Sequence, residues 1–248
     1  DNLTKENIYV LDTPILSNSQ FIKFKKYFEE NSKVIDCTFS KEDNLKNSLD
    51  KIRSLSEIAA REGLKQLILT DKEVNENRLA IPMVLAVGAI NSHLIKKSLR
   101  GFVNLNIETG DTLDTHSYAT LLGVGATTIN PYLALDSIYQ RFEKNLFGNL
   151  NIEDCIKRYI KSVNSGLLKI MSKMGISVLS SYRGGCNFET VGLSRAIVSE
   201  YFPGVISRIS GIGLMGIEKK IREIHKAAYL KNASVLPIGG LYKYRKNG

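Results

Sequence analysis

A chain of 248 residues, 43% of them hydrophobic, can bury a substantial core and fits one α/β domain spanning 1–248 or two small ones. The net charge of +9 is carried by scattered lysines with no basic block interleaved with aromatics. That pattern fits a solvated face, or one that docks on an acidic neighbouring domain, and argues against a nucleic-acid partner. No apolar run is long enough to span a membrane, and the N-terminal residues lack a secretory layout. Three well-separated cysteines, Cys37, Cys155 and Cys186, fit reduced thiols in a cytoplasmic protein and exclude a disulfide framework or a zinc site.

Residues 1–13 read as a lead-in, with a short strand at Ile8–Val10. Ser17 to Glu30 is helical in pattern, with Phe21, Phe24 and Phe28 on one face. Val34–Phe39 is a strand. From Leu45 to Glu62 the apolar residues Leu45, Leu49, Ile52, Leu55 and Ile58 recur at helical spacing, and Gly63 ends the helix. Leu67–Leu69 is a buried strand followed by Thr70 and Asp71. Pro82 opens a helix running to about Ser98. Phe102 to Ile107 alternates as a strand and ends in Glu108; a helix over Leu113–Leu122 and a strand at Ala126–Ile129 follow.

This alternation predicts an α/β fold of parallel strands with helical crossovers, as an incomplete barrel or an open sheet. Residues 131–146 and 152–174 read as two long helices. Gly175 is placed to cap the second, and Ile176–Leu179 reads as a strand. A helix near 194–201, a turn at Ser207–Gly213 and a helix over 214–230 come next. A last strand at Val235–Ile238 and a basic tail at 241–248 complete the reading, with no internal repeat.

The polar residues after the expected strand at 176–179 form the richest constellation. Ser180, Ser181, Tyr182 and Arg183 are followed by two glycines, with Lys173 before them and Glu189 after. An ion pair of Arg183 with Glu189 would fix this loop; direct catalysis is the alternative. Thr127, Thr128 and Asn130 stand near a strand terminus and are candidates to line a passage. The three histidines lie far apart on predicted helices, which argues against a metal site; His116, after Glu108, Asp111 and Asp114, reads as a surface or packing histidine, with an acid–base pair as the alternative. Cys186 reads as a buried thiol. Gly211-Ile-Gly-Leu-Met-Gly216 matches the dinucleotide fingerprint by letter, but its context favours a glycine-rich turn opening a closely packed helix. Gly123-Val-Gly-Ala reads as a tight helix-to-strand link, with a phosphate cradle as the weaker alternative.

Ser172-Lys-Met-Gly-Ile-Ser, Ser181-Tyr-Arg-Gly-Gly-Cys-Asn-Phe-Glu and Ser207-Arg-Ile-Ser-Gly-Ile-Gly resemble the central domain of the glutamate synthase large subunit. Leu16-Ser-Asn, Ala80-Ile-Pro, Glu108-Thr-Gly, Gly123-Val-Gly-Ala and Asn130-Pro-Tyr-Leu-Ala extend the resemblance, in the family's order, over most of the chain. The resemblance implies a domain that links a glutaminase domain to an FMN-binding synthase domain of the same polypeptide. It also implies a share in the tunnel that carries ammonia for glutamate synthesis from glutamine and 2-oxoglutarate. The nucleophilic cysteine, the iron–sulfur cluster and the FMN site of that family are expected outside these residues. The expectation is therefore no cofactor, no catalytic residue and no activity in this piece alone. The competing expectation is a self-standing enzyme acting on a small anion at Lys173, Ser181 and Arg183.

Overall fold

The computed structural model describes residues 9–230. Residue 8 of the expected first strand, the strand at Val235–Ile238 and the basic tail lie outside them, and Tyr9 and Val10 have no regular structure. The chain enters past Ile15, which bridges Ile129 in parallel. It then forms α1 (Asn18–Tyr27), whose start is fixed by a capping box of Ser17 and Gln20. The strand expected at Val34–Phe39 is divided in two, β1 (Ser32–Asp36) and β2 (Thr38–Ser40). Next come α2 (Leu45–Arg61), β3 (Gln66–Thr70), β4 (Arg78–Ala80), α3 (Met83–Lys96) and β5 (Asn104–Glu108). The first half closes with α4 (Thr115–Val124) and β6 (Thr128–Asn130).

β1, β3, β5 and β6 form one parallel sheet in that order, and it stays open. The expected α/β class with helical crossovers therefore holds. β2 and β4 make a small antiparallel pair beside it, which periodicity did not announce because each strand has only three residues. Helix α2 buries Leu45, Leu49 and Ile52, but its inner face continues through Ser56, Ala59 and Ala60. Leu55 and Ile58, read as part of the same stripe, are 36% and 53% exposed. Small residues there let α2 lie close to α3, so the larger ones turn outward.

The second half contains α5 (Tyr132–Glu143), α6 (Ile152–Lys173), α7 (Leu179–Tyr182), β7 (Glu189–Leu193), α8 (Arg195–Tyr201), β8 (Ile206–Ile212) and α9 (Leu214–Ala228). The strand expected at Ile176–Leu179 does not form. Gly175 adopts a left-handed φ of 69°, and Ile176 N–H donates back to Met171 O at 3.0 Å, the bond that closes a Schellman cap. The cap takes the donor that a strand would need, and a short helical turn follows.

β7 and β8 pair in parallel around α8, with two register shifts. The turn expected at Ser207–Gly213 is thus mostly strand. A Cβ on Gly211 would come within 2.1 Å of the Gly192 carbonyl oxygen. The first glycine of the fingerprint-like run therefore lets two strands approach, and Gly213 caps α9. Among the described residues no helix is long and apolar enough to cross a membrane.

Substituting Gly211→Ala should force β7 and β8 apart and lower stability by about 2 kcal/mol, the usual scale of overpacking. A chemical-denaturation midpoint measured with an unchanged slope checks this.

Candidate functional site

The two faces of the sheet differ in chemistry. Ile35, Leu67, Leu69, Leu105, Ile107 and Ile129 point into the main core beneath α2, α3 and α4. Because side chains alternate along a strand, the opposite face carries Gln66, Ile68 and Thr70 from β3, Asn106 and Glu108 from β5, and Thr128 and Asn130 from β6. Ile68 packs with Leu16, Phe21 and Phe24, so α1 covers this face. The register aligns Asp36, Thr70, Glu108 and Asn130 in one row across the carboxyl ends of the four strands. In open α/β sheets that edge is where ligand sites are found.

Behind this row runs a buried, neutral hydrogen-bond chain. Asn106 Nδ2 donates to Gln66 Oε1 at 2.9 Å, and Thr128 Oγ1 donates to Asn106 Oδ1 at 2.8 Å. In the row itself, Glu108 is 4% exposed. Its Oε1 accepts from Lys25 Nζ at 3.1 Å and Lys72 Nζ at 2.9 Å. Burial alone would raise the Glu108 pKa, but the hydrogen bonds and charges of the two lysines outweigh it and hold the carboxyl below its ordinary value.

Asp71 behaves in the opposite way. Burial raises its pKa in spite of hydrogen bonds from Thr109, Tyr132 and the Gly110 N–H. The Thr109 hydroxyl donates to it at 2.5 Å and Gly110 N–H at 3.1 Å. At the β6 end, Asn130 Nδ2 donates to Leu16 O at 3.0 Å and Asn18 Oδ1 at 2.9 Å, tying the lead-in to the sheet, while its buried Oδ1 has no partner among the described residues. At the β1 end, Asp36 pairs with Arg78 and accepts from Thr38.

The residues singled out from the sequence fall into two places. Thr128 and Asn130 belong to the buried face just described. Thr127 lies at its margin, with its N–H on Leu105 O at 2.7 Å. The second group lies elsewhere. Gly184 N–H donates to Gly123 O at 2.8 Å, which docks the loop at the link between α4 and the start of β6. The loop therefore sits at the amino-terminal edge of the sheet, not beyond a carboxyl end. Lys173, Ser180, Ser181 and Glu189 are exposed, Tyr182 is buried and Arg183 is partly buried.

The expected ion pair of Arg183 with Glu189 is absent. Glu189 instead accepts from Arg208 Nε at 3.0 Å, because strand pairing brings β8 beside it. Cys186, expected to be buried, is exposed. His93 bonds Glu57 and His225 bonds the Glu76 carbonyl. The close helix-to-strand link is turned at Gly125, which caps α4 with a φ of 134°, while Gly123 lies inside α4, where a Cβ would meet the Phe188 ring at 2.1 Å.

Lys25, Lys72, Asp71 and Tyr132 were not picked out as site residues. The available signal was the recurrence of an acid, amide or hydroxyl at the end of every parallel strand.

Glu108→Gln would remove the negative charge and leave two lysines facing a neutral amide. Both lysines are partly exposed and can turn to water, so the loss should be about 3 kcal/mol, the low end for a broken buried pair. The Glu108 pKa is depressed on folding. Its contribution is therefore complete above the unfolded carboxylate pKa, about 4.3, and is lost as pH falls through the folded value. The stability gap between wild type and Glu108→Gln, measured by denaturation from pH 7 to pH 3, should narrow with falling pH.

Comparison with known proteins agrees with the sequence motifs. A family model described as the glutamate synthase central domain matches residues 1–194. The large chain of NADPH glutamate synthase from Azospirillum brasilense is 48% identical over 248 residues, which is 99% of this chain and 16% of that protein. The corresponding Bacillus subtilis chain is 39% identical, covering 96% of this chain and 16% of its own length. NADH glutamate synthase from Saccharomyces cerevisiae is 33% identical, covering 96% and 12% respectively. The chain thus spans about a sixth or less of these curated relatives. Among solved structures, a mutant flavocytochrome b2 aligns with 64% of this chain and 40% of its own, at a TM-score of 0.43 and 10% identity.

Proposed function

We propose, on the premise that this chain belongs to the glutamate synthase central-domain family, that it is the connecting part of a glutamate synthase large chain. In this reading it joins the glutaminase and FMN-binding parts of one polypeptide and helps to enclose the path of ammonia between them. FMN and the iron–sulfur cluster belong to the remaining polypeptide, and these 248 residues have no activity alone.

The observation that carries the reading is the face left open by β7 and β8. Val191 and Ile209 are register partners, and they are 67% and 61% exposed. Met215, in the first turn of α9, is 87% exposed. A two-stranded sheet is marginal in water, and parallel pairs are normally covered on both faces. Helices α8 and α9 pack on the pair from this chain. The rest of the polypeptide, most of the length of the relatives, is the natural source of further cover for the open apolar side chains.

A passage for ammonia needs walls that exclude water and offer few titratable groups. The neutral Gln66–Asn106–Thr128 chain, with Thr127 beside it, has that chemistry.

Replacing Val191 by Lys and Ile209 by Glu, opposite charges on paired positions, tests the connecting role. The melting temperature of the 248-residue chain should hold, because both side chains already face water. In the full-length large chain, glutamate formed per glutamine consumed should fall by roughly twofold or more, as charges enter an apolar contact. An unchanged ratio would sink the proposal.

A further inference from the structure

We infer that Arg183 and Arg100 form an oxyanion-binding site at the amino-terminal edge of the main sheet, built for a carboxylate or phosphate group. The inference is independent of the connecting role proposed above. It begins with Arg100, which is held rigidly: Nε donates to Asn91 Oδ1 at 2.6 Å, Nη1 to Val103 O at 2.5 Å and Nη2 to Gly125 O at 2.8 Å. All three acceptors are neutral. Arg183 is brought to the same corner by the Gly184–Gly123 bond. Its Nε is buried and has no acceptor among the described residues. The carboxylate nearest in sequence, Glu189, is engaged by Arg208.

The electrostatics agree with this geometry. The Arg100 pKa is brought down to about 10, first by burial and then by the neighbouring charge of Arg183. Burial alone lowers that of Arg183. Two guanidinium groups at one corner, both partly dehydrated and neither facing a carboxylate, lack the counter-charge that buried cations call for. A bound oxyanion turns both charges into attractions, and it takes up guanidinium donors of Arg183 in the planar, bidentate geometry that arginine offers. The loop residues that follow Arg183, namely Gly184, Gly185 and Cys186, are exposed.

The oxyanion can come from solution or from an acidic side chain elsewhere in the full-length polypeptide. Arginine modification by phenylglyoxal, read residue by residue by mass spectrometry in phosphate-free buffer, distinguishes the two. In the 248-residue chain, about 50 mM phosphate, a level chosen to saturate a weak site, should slow modification of Arg183 several-fold. Arg158, exposed on α6, should be modified at an unchanged rate. In the full-length large chain, protection of Arg183 without phosphate assigns an internal carboxylate, and protection only with phosphate assigns a free anion.

The melting temperature supplies a second readout. Phosphate should raise that of wild type by several degrees, Arg183→Gln should lose this rise, and Arg100→Lys should weaken it. Equal phosphate effects on wild type and Arg183→Gln, or equal protection of Arg183 and Arg158, would overturn the site.

Discussion

Burying the Glu108 carboxylate at the end of β5 would be prohibitive without a cation, and the chain brings two, from different elements. Lys25 reaches it from α1 and Lys72 from the loop after β3. A buried carboxylate with two partners is a weak source of net stability but a strong source of position, because removing the partners leaves the charge stranded. Together with Asn130 holding Leu16 and Asn18, and with Phe21 and Phe24 on Ile68, it fixes α1 across one face of the sheet. The four strands have the order and direction of a barrel segment. Their polar face is covered by a helix of the same chain, so the sheet has no need to close.

The buried neutral chain from Gln66 through Asn106 to Thr128 belongs to the same arrangement. Each of these side chains would be costly in an apolar interior if left alone, and each is satisfied by the next. A polar interior face on central parallel strands is unusual, since such strands ordinarily bury apolar residues on both sides. The Oδ1 of Asn130, without a partner among the described residues, marks a place where this face is incomplete.

Local chemistry made the first half of the chain legible. Capping residues, the period of α2 and the strand-to-helix alternation located nearly every element through β6, and the α/β class followed. One error came from a helix cap and the others from pairings between distant residues. Ile176 to Leu179 has strand composition, yet the helix cap captured Ile176 N–H. Gly211 and its neighbours read as a glycine-rich turn, yet Ile206–Ile212 is strand and the glycine is needed because β7 lies against it. Glu189 is six positions from Arg183, near enough to suggest a pair, and strand register gave it Arg208 instead. The carboxyl-end row escaped notice as a site because its members, from Asp36 to Asn130, meet only when four strands are set in register.

Packing also decides where this structural unit stops, and it disagrees with the family boundary. The family model ends at residue 194, between β7 and α8. Beyond it, Ile197, Val198 and Tyr201 of α8 are buried. A Cβ on Gly88 of α3 would strike the Phe202 ring at 2.4 Å, so α8 and the residue after it lie tightly on the main body. β8 is the only strand to which β7 is paired among the described residues. Farther on, α9 reaches back to the start of α2: Glu218 accepts from the Leu45 N–H at 2.9 Å, and Arg222 donates to the carbonyls of Lys41 and Asp43. A chain cut at residue 194 would leave β7 without its partner, the α3 surface uncovered and the start of α2 without its anionic cap. The packed body therefore runs at least to the end of α9, and the similarity of the Azospirillum brasilense relative, across 99% of this chain, also reaches past residue 194.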